Sequence, residues 1–227
     1  PTNLIAFWYG DNASLKHKFQ NGFCYVEDST VYLKFRGQEQ SFPLLDSKLI
    51  GTGNQLNLAC SIAAAFVAGA TSQGIKEAIS AFRPLAHRME IFTWGNDRIA
   101  INDSKSTNID STRFALSSLS KDSRFQNLSL VLGGLPKKTE SDSFRFIAEA
   151  KLSRLIIFGQ HASEISAEVG DTPFPKHVVR TLDEVLSLAK QGEPSEIILF
   201  SPGGASFDQF TGFGHRGNEF RRIFQPT

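Results

Sequence analysis

The sequence predicts an α/β protein whose larger part is a mostly parallel sheet with helices on both faces, preceded by a smaller part of short antiparallel strands and two helices. Three observations predict it. Beyond residue 97, short runs of Leu, Ile, Val and Phe alternate with helical stretches, the pattern of a parallel sheet buried on both sides. Before residue 83 the order differs, with strand-like alternation first and helical spacing afterwards. Between the two parts, "RPLAHR" (83–88) places Pro84 where a helix cannot continue, so a boundary falls between 1–83 and 84–227.

The elements follow in order. "LIAFWY" (4–9) is a strand, and "GFCYVEDSTVYLKFRG" (22–37) alternates around a turn at Asp28–Ser29, as a hairpin does. "NQLNLACSIAAAFVAG" (54–69) has apolar residues at helical spacing and ends on Gly69; "TSQGIKEAISAF" (71–82) is a second helix with Thr71 or Ser72 as its cap. "MEIFTW" and "DRIAIN" flank a turn at Gly95–Asn96, and a helix follows over about 109–120. Then come strand 128–134, helix 141–151, strand 154–159, helix "HASEISAEV", short strand "HVVR", helix "LDEVLSLAKQ", strand 195–202 and a terminal helix near "RGNEFRRIF".

Composition narrows the function. With 41% hydrophobic and 21% charged residues the chain has an ordinary globular balance, and a net charge of +1 gives no electrostatic reason to expect nucleic acid or a membrane surface as partner. The longest apolar stretch, 58–70, is too short to span a bilayer. Cys24 and Cys60 lie far apart without metal-ligand spacing and read as buried free thiols of a reducing cytoplasm. The opening "PTNLIAFWYG" enters a strand at once, without a basic-then-apolar leader, as expected of the middle of a longer chain. Nothing suggests more than a monomer.

In an open parallel sheet, ligands bind beyond the carboxyl ends of the strands, so the loops there carry the chemistry. They are "NDSKST" (102–107), "GGLPKK" (133–138), Gly159–Gln160 and "SPGGASFDQF" (201–210). Three of the four combine glycine or small residues with hydroxyls or lysines. Alone, a Gly-Gly pair is a tight turn, a serine a helix cap and a lysine a solvated charge. Together, Ser104, Thr107, Ser206, Lys105 and Lys137 should converge on one sheet edge, a set suited to a carboxylate-bearing ligand. Other chemistries fit badly. The sequence has no GxxxxGK[ST] and no HExxH, "GGLPKK" is not the GxGxxG of a dinucleotide-binding loop, and histidines 17, 87, 161, 177 and 215 lack zinc spacing. "GASFD" is a poor nucleophile elbow without a histidine partner at suitable spacing.

The segments "GTGNQLN" (51–57), "LAHRME" (85–90), "INDSKSTN" (101–108), "LGGLPKK" (132–138) and "SPGGASFDQFTGFGHRGNEF" (201–220), in this order, resemble the Mur ligases of peptidoglycan synthesis, specifically the D-glutamate-adding ones. The resemblance implies an ATP- and Mg2+-dependent ligase that joins D-glutamate to UDP-N-acetylmuramoyl-L-alanine through an acyl phosphate. It also implies the end of a central ATP-binding domain over 1–83 and a Rossmann-like amino-acid-binding domain over 84–227. By the same resemblance, Thr107 and Lys137 hold the glutamate α-carboxylate, while Ser206 and the backbone near Phe207 and Phe213 hold its side-chain carboxylate. Asn54, Asn57, Asp103 and Lys105 contact the nucleotide, Arg88 reaches its γ-phosphate, and Arg88 and Lys105 assist the chemistry. The family usually has histidine where this chain has Gly53. Its UDP-binding domain, P-loop, metal ligands and carbamylated lysine have no match here and are expected before Pro1, so no metal site is expected in this chain. A non-catalytic glutamate- or anion-binding module, and a sister ligase adding another amino acid, are the alternative readings.

Overall fold

The computed structural model describes residues 6–9, 13–19, 22–120, 122–137 and 144–225. Two compact units divide between Arg83 and Pro84.

The first unit holds a four-stranded sheet in the order β1 (Ala6–Tyr9), β2 (Gly22–Glu27), β3 (Thr30–Phe35) and β4 (Gln38–Pro43), with a short helix α1 (Ala13–Lys18) between β1 and β2. The β2–β3 turn places Asp28 and Ser29 at φ 45° and 53°, and the β3–β4 turn places Arg36 and Gly37 at 50° and 79°. Both pairs are left-handed, the geometry that matches the twist of tight hairpins. Two expectations need correction. β1 pairs with β2 in parallel, with Ala6 opposite Phe23, whereas antiparallel strands were expected; a helix between two strands permits the parallel return. β4 was not anticipated because "QEQSFP" has a single buried position, Phe42, and shows no apolar alternation.

Helices α2 (Thr52–Val67) and α3 (Ser72–Ala81) cover one face of this sheet. Leu58, Ala59, Ile62, Ile75 and Ile79 pack with Cys24, Val26, Leu33 and Phe42. α2 terminates where Gly69 takes φ 93° and the Ala70 amide donates to Ala65 O at 2.9 Å, a glycine-dependent helix stop. Thr71 caps α3 by accepting from the Gly74 amide at 3.1 Å. Both cysteines are free, but only Cys24 is buried; Cys60 is exposed, because position 60 falls on the outer side of α2. Burial pushes the Cys24 thiol up to about 12.

The second unit is a six-stranded sheet in the order β5 (Glu90–Trp94), β6 (Arg98–Asn102), β10 (Ile197–Gly203), β7 (Leu128–Gly133), β8 (Arg154–Phe158) and β9 (Lys176–Val179). Only β5 is antiparallel, to β6. Because strand side chains alternate, each central strand feeds two cores. Val131, Ile156, Phe158, Ile198 and Phe200 pack on one side with α6 (Leu182–Gln191) and α7 (Phe213–Phe224). The intervening residues face the other way, where α4 (Ile109–Leu119) lies against β10 and α5 (Ala162–Val169) against β7 and β8. Phe220 stacks on Phe200 at a centroid distance of 4.2 Å, with Phe92 edge-on to it and Phe224 tilted against it at 4.4 Å. The expected helix over 141–151 is a single 3-10 turn, Arg145–Glu149, and residues 141–143 lie outside the described residues. Among the described residues no helix is long and apolar enough to cross a membrane.

Five parallel strands therefore end on the same edge, at Asn102, Gly203, Gly133, Phe158 and Val179.

Candidate functional site

The loops leaving β6, β7 and β10 are hydrogen-bonded to one another. The Asp103 amide donates to Phe200 O at 2.8 Å and the Gly203 amide to Ser106 O at 3.0 Å, which joins the first loop to the last strand. Leu135 and Ala205 exchange two amide bonds, of 2.7 and 2.8 Å, which joins the β7 loop to the β10 loop. Glycine is required where the backbones meet. Gly134 has φ +88°, and a Cβ there would stand 2.5 Å from Ala205 O. Gly204 faces the carbonyl of Gly133 at 2.8 Å in the same sense.

Arg216, on α7, ties this arrangement together and was not among the expected site residues. It is fully buried. Its Nε donates to Ser104 Oγ at 3.1 Å, Nη2 to Ser104 O at 2.8 Å and Nη1 to Gly204 O at 2.9 Å. Ser104 Oγ in turn donates to Phe213 O at 2.8 Å, so one arginine fixes two loops and the start of α7. Burial pushes the guanidinium down to about 10, opposed by the charge of Asp208. Both Asp208 carboxylate oxygens are buried without a hydrogen-bond partner among the described residues.

Asp103 is the second anchor. Its carboxylate accepts from Ser201 Oγ at 3.0 Å, from the Met89 amide at 3.2 Å and from Ser106 Oγ. Thr112 and Ser201 extend the network, Thr112 Oγ1 donating to Ser201 O at 3.0 Å. Burial outweighs these bonds and pushes Asp103 up to about 6. A carboxyl raised in the folded state binds its proton more readily there than when unfolded. Between pH 3.8 and about 6, stability therefore falls as pH rises, by an amount on the order of 3 kcal/mol, and levels off above. Asp103→Asn should remove this component of the slope; urea melts at pH 4, 5, 6 and 7 check it, and an unchanged slope would exclude Asp103 as its source.

His87, at φ 64°, sits against the same network. Its Nδ1 lies 3.1 Å from Asn102 Nδ2, which also donates to Gly217 O, so the neutral ring carries its proton on Nε2. Burial lowers its pKa, with Glu90 opposing.

The expected residues fall as follows. Thr107 is half-buried, immediately before the α4 cap Asn108, which accepts from the Ser111 amide at 2.9 Å. Lys137 is exposed on the β7 loop, and Ser206 is buried on the β10 loop two positions beyond Gly204. Phe207 is exposed and Phe213 opens α7. Lys105 is exposed, with its ammonium 4.1 Å from the centre of the Phe213 ring. Arg88 is exposed on the segment before β5. Lys138 lies outside the described residues. In the first unit, Asn54 Nδ2 donates to Ile50 O at 2.9 Å, and Asn57 is exposed one turn further along α2. Among the described residues no three His, Cys, Asp or Glu side chains stand together to hold a metal.

Comparison with known proteins bears on the family and the fold. Residues 87–204 match the family described as "Mur ligase, glutamate ligase domain". The UDP-N-acetylmuramoylalanine--D-glutamate ligase of Elusimicrobium minutum is 35% identical over 98% of this chain and 47% of its own length. That of Rippkaea orientalis is 34% identical over 81% of the chain and 40% of its own. The chain thus spans under half the length of these curated relatives. Among solved structures, MurF from Acinetobacter baumannii aligns with a TM-score of 0.66 at 15% identity, over 97% of this chain and 52% of that one. A UDP-N-acetylmuramate-alanine ligase from Thermotoga maritima aligns at 0.63 and 16%, over 90% and 46%. The two structures share the fold, and the family match covers just over half of the sequence, so the chain belongs to the Mur ligases.

Proposed function

We propose that this chain supplies the amino-acid half of a cytoplasmic, ATP-dependent ligase that adds D-glutamate to UDP-N-acetylmuramoyl-L-alanine in peptidoglycan synthesis. The observation that carries the reading is the bonding of the three loops bearing Thr107, Lys137 and Ser206 into one surface at the strand ends. Names borne by the relatives supply the substrate class.

In this reading a dicarboxylate is gripped at both ends. Lys137 and Thr107 take the α-carboxylate, by a charged and a neutral hydrogen bond. Ser206 takes the distal carboxylate together with the backbone around Phe207 and the first turn of α7 at Phe213, where free amides and the helix dipole favour an anion. Lys105 and Arg88 are exposed cations of the same unit and fit phosphate oxygens. Asp103 is committed to interior bonds, so its part is to set the loop that carries Lys105 and Thr107. Asn54 and Asn57, on the first unit, are the proposed nucleotide-side contacts there.

ATP activates the acceptor by transferring its γ-phosphoryl group to the L-alanine carboxylate. The D-glutamate amine then attacks the acyl carbon and phosphate leaves. Magnesium would neutralise the phosphate charge, but the described residues offer no cluster for it, and no step is assigned to it in this chain.

Calorimetric titration of D-glutamate tests the grip. Lys137→Ala removes a charge-assisted bond of roughly 1.5–3 kcal/mol and should weaken binding about tenfold to a hundredfold, with Thr107→Ala weaker by about fivefold. Unchanged affinity in both variants would remove the site from these loops. By itself the chain should release no phosphate from ATP, since its sequence carries no GxxxxGK[ST]; a phosphate-release assay showing turnover would contradict this.

A further inference from the structure

At the opposite end of the second sheet from the strand-tip loops, a cleft of about 700 Å³ is lined by Trp94, Arg98, Leu186, Lys190, Ile223 and Phe224 among others. Its place follows from the strands: β6 begins at Arg98 and ends at Asn102, and Arg98 pairs with Trp94 at the end of β5.

Charge and hydrogen bonding at this cleft are both incomplete. Buried Glu196 already receives Arg154 through two bonds, of 3.1 and 2.6 Å, and a further one from Ser129 Oγ. Arg98 approaches the same carboxylate only to 3.9 Å and otherwise donates to two carbonyls, Gly192 O at 2.9 Å and Glu193 O at 2.7 Å. One carboxylate thus faces two guanidinium groups, and Lys190 adds another cation on the cleft wall. Asp97 and Glu193, the neighbouring acids, are exposed and do not line it. Two buried N–H donors remain without an acceptor among the described residues: Trp94 Nε1, on a residue only 5% exposed, and Arg98 Nε. Orphaned donors of this kind are rare in a folded interior and call for an acceptor. Everything offered by Trp94, Arg98 and Lys190 is a donor. Leu186, Ile223 and Phe224 supply an apolar wall beside them.

We propose that this cleft is a second ligand site, separate from the strand-tip loops, that takes a small organic anion: a carboxylate or phosphate monoester carrying an apolar or aromatic body. The anionic head meets the guanidinium of Arg98 and the ammonium of Lys190 on the cleft wall, and a shift of Arg98 off the Trp94 ring, which it covers at 4.6 Å, opens the buried Trp94 N–H to it. Its body lies on the Leu186, Ile223 and Phe224 wall.

The 227-residue chain can be titrated with phenyl phosphate, benzoate, inorganic phosphate and benzyl alcohol. The Trp94 indole N–H resonance is read against that of Trp8, the other tryptophan. Phenyl phosphate, benzoate or both should move the Trp94 signal saturably and leave Trp8 still; which of them acts identifies the head group. Lys190→Ala, an exposed change that spares the fold, should weaken this binding about fivefold, and Arg98→Gln should abolish it. Three results would overturn the site: no movement of Trp94, an equal response to benzyl alcohol, or a response to inorganic phosphate as strong as to the organic anions. Binding that shifts only residues of the strand-tip loops would also count against it.

Discussion

Arg216→Met is expected to lower the stability of the second unit by about 2–4 kcal/mol and to abolish measurable D-glutamate binding. Two effects compete. Burial disfavours the guanidinium, as its depressed pKa of about 10 indicates, so removing the charge recovers part of that cost. Against this, Ser104 O, Gly204 O and Ser104 Oγ each lose a donor, and a buried acceptor left unmade costs about 1–3 kcal/mol. Three such losses outweigh one recovered desolvation term. The binding loss follows because Ser104 and Gly204 lie on two different loops of the proposed site, and both slacken together. Urea unfolding followed by tryptophan fluorescence, with calorimetry on the folded fraction, checks both halves. A variant of wild-type stability that still binds would show that Arg216 is not the tie.

Gly134→Ala should be nearly as damaging, for a backbone reason. Its φ of +88° is a region that L side chains rarely adopt, and the new methyl would stand 2.5 Å from Ala205 O and 2.7 Å from Arg216 Nη1. The left-handed conformation costs about 1–2 kcal/mol and the overpacking about 1–3 more, which together give roughly 2–5 kcal/mol. Relief requires the Leu135–Ala205 bridge to open, which would part the loops carrying Lys137 and Ser206. The expected signature is loss of amide protection at Leu135 and Ala205 in hydrogen exchange, alongside weaker D-glutamate binding. Retained protection with wild-type affinity would mean that the loops tolerate separation.

The parallel sheet was legible because its central strands are apolar on both faces: all six residues of β7 and all five of β8 are buried. No alternation confuses such runs with surface strands. What sequence missed depends on distant partners. β4 is polar and owes its place to pairing with β3, and β1 runs parallel to β2 only because a helix intervenes. Residues 145–149 have helical spacing, yet their backbone tightens into a 3-10 turn around buried Ile147.

The site was legible in the same uneven way. Residue types at strand ends pointed to the loops of Thr107, Lys137 and Ser206 as candidates, since ligand chemistry concentrates there in open sheets. The interior wiring was hidden. "HRGNEFRR" reads as a solvated basic helix face, and nothing local distinguishes Arg216, fully buried, from Arg221 and Arg222, which are exposed. Likewise the hydroxyls of Ser106, Thr112 and Ser201 read as solvent-facing side chains until folding gathers them around Asp103.

The proposed site at the strand ends grips a dicarboxylate at both ends. Amide chemical-shift titration with D-glutamate, and separately with L-glutamate, tests it most directly. Inverting the α-carbon cannot keep both carboxylates and the amine in place, and a site of paired charge and hydroxyl contacts discriminates strongly against such a mismatch. The predicted result is saturable shifts at Thr107, Lys137 and the Ser206–Phe213 loop with D-glutamate alone. Equal shifts with both enantiomers, or none at those residues, would contradict it.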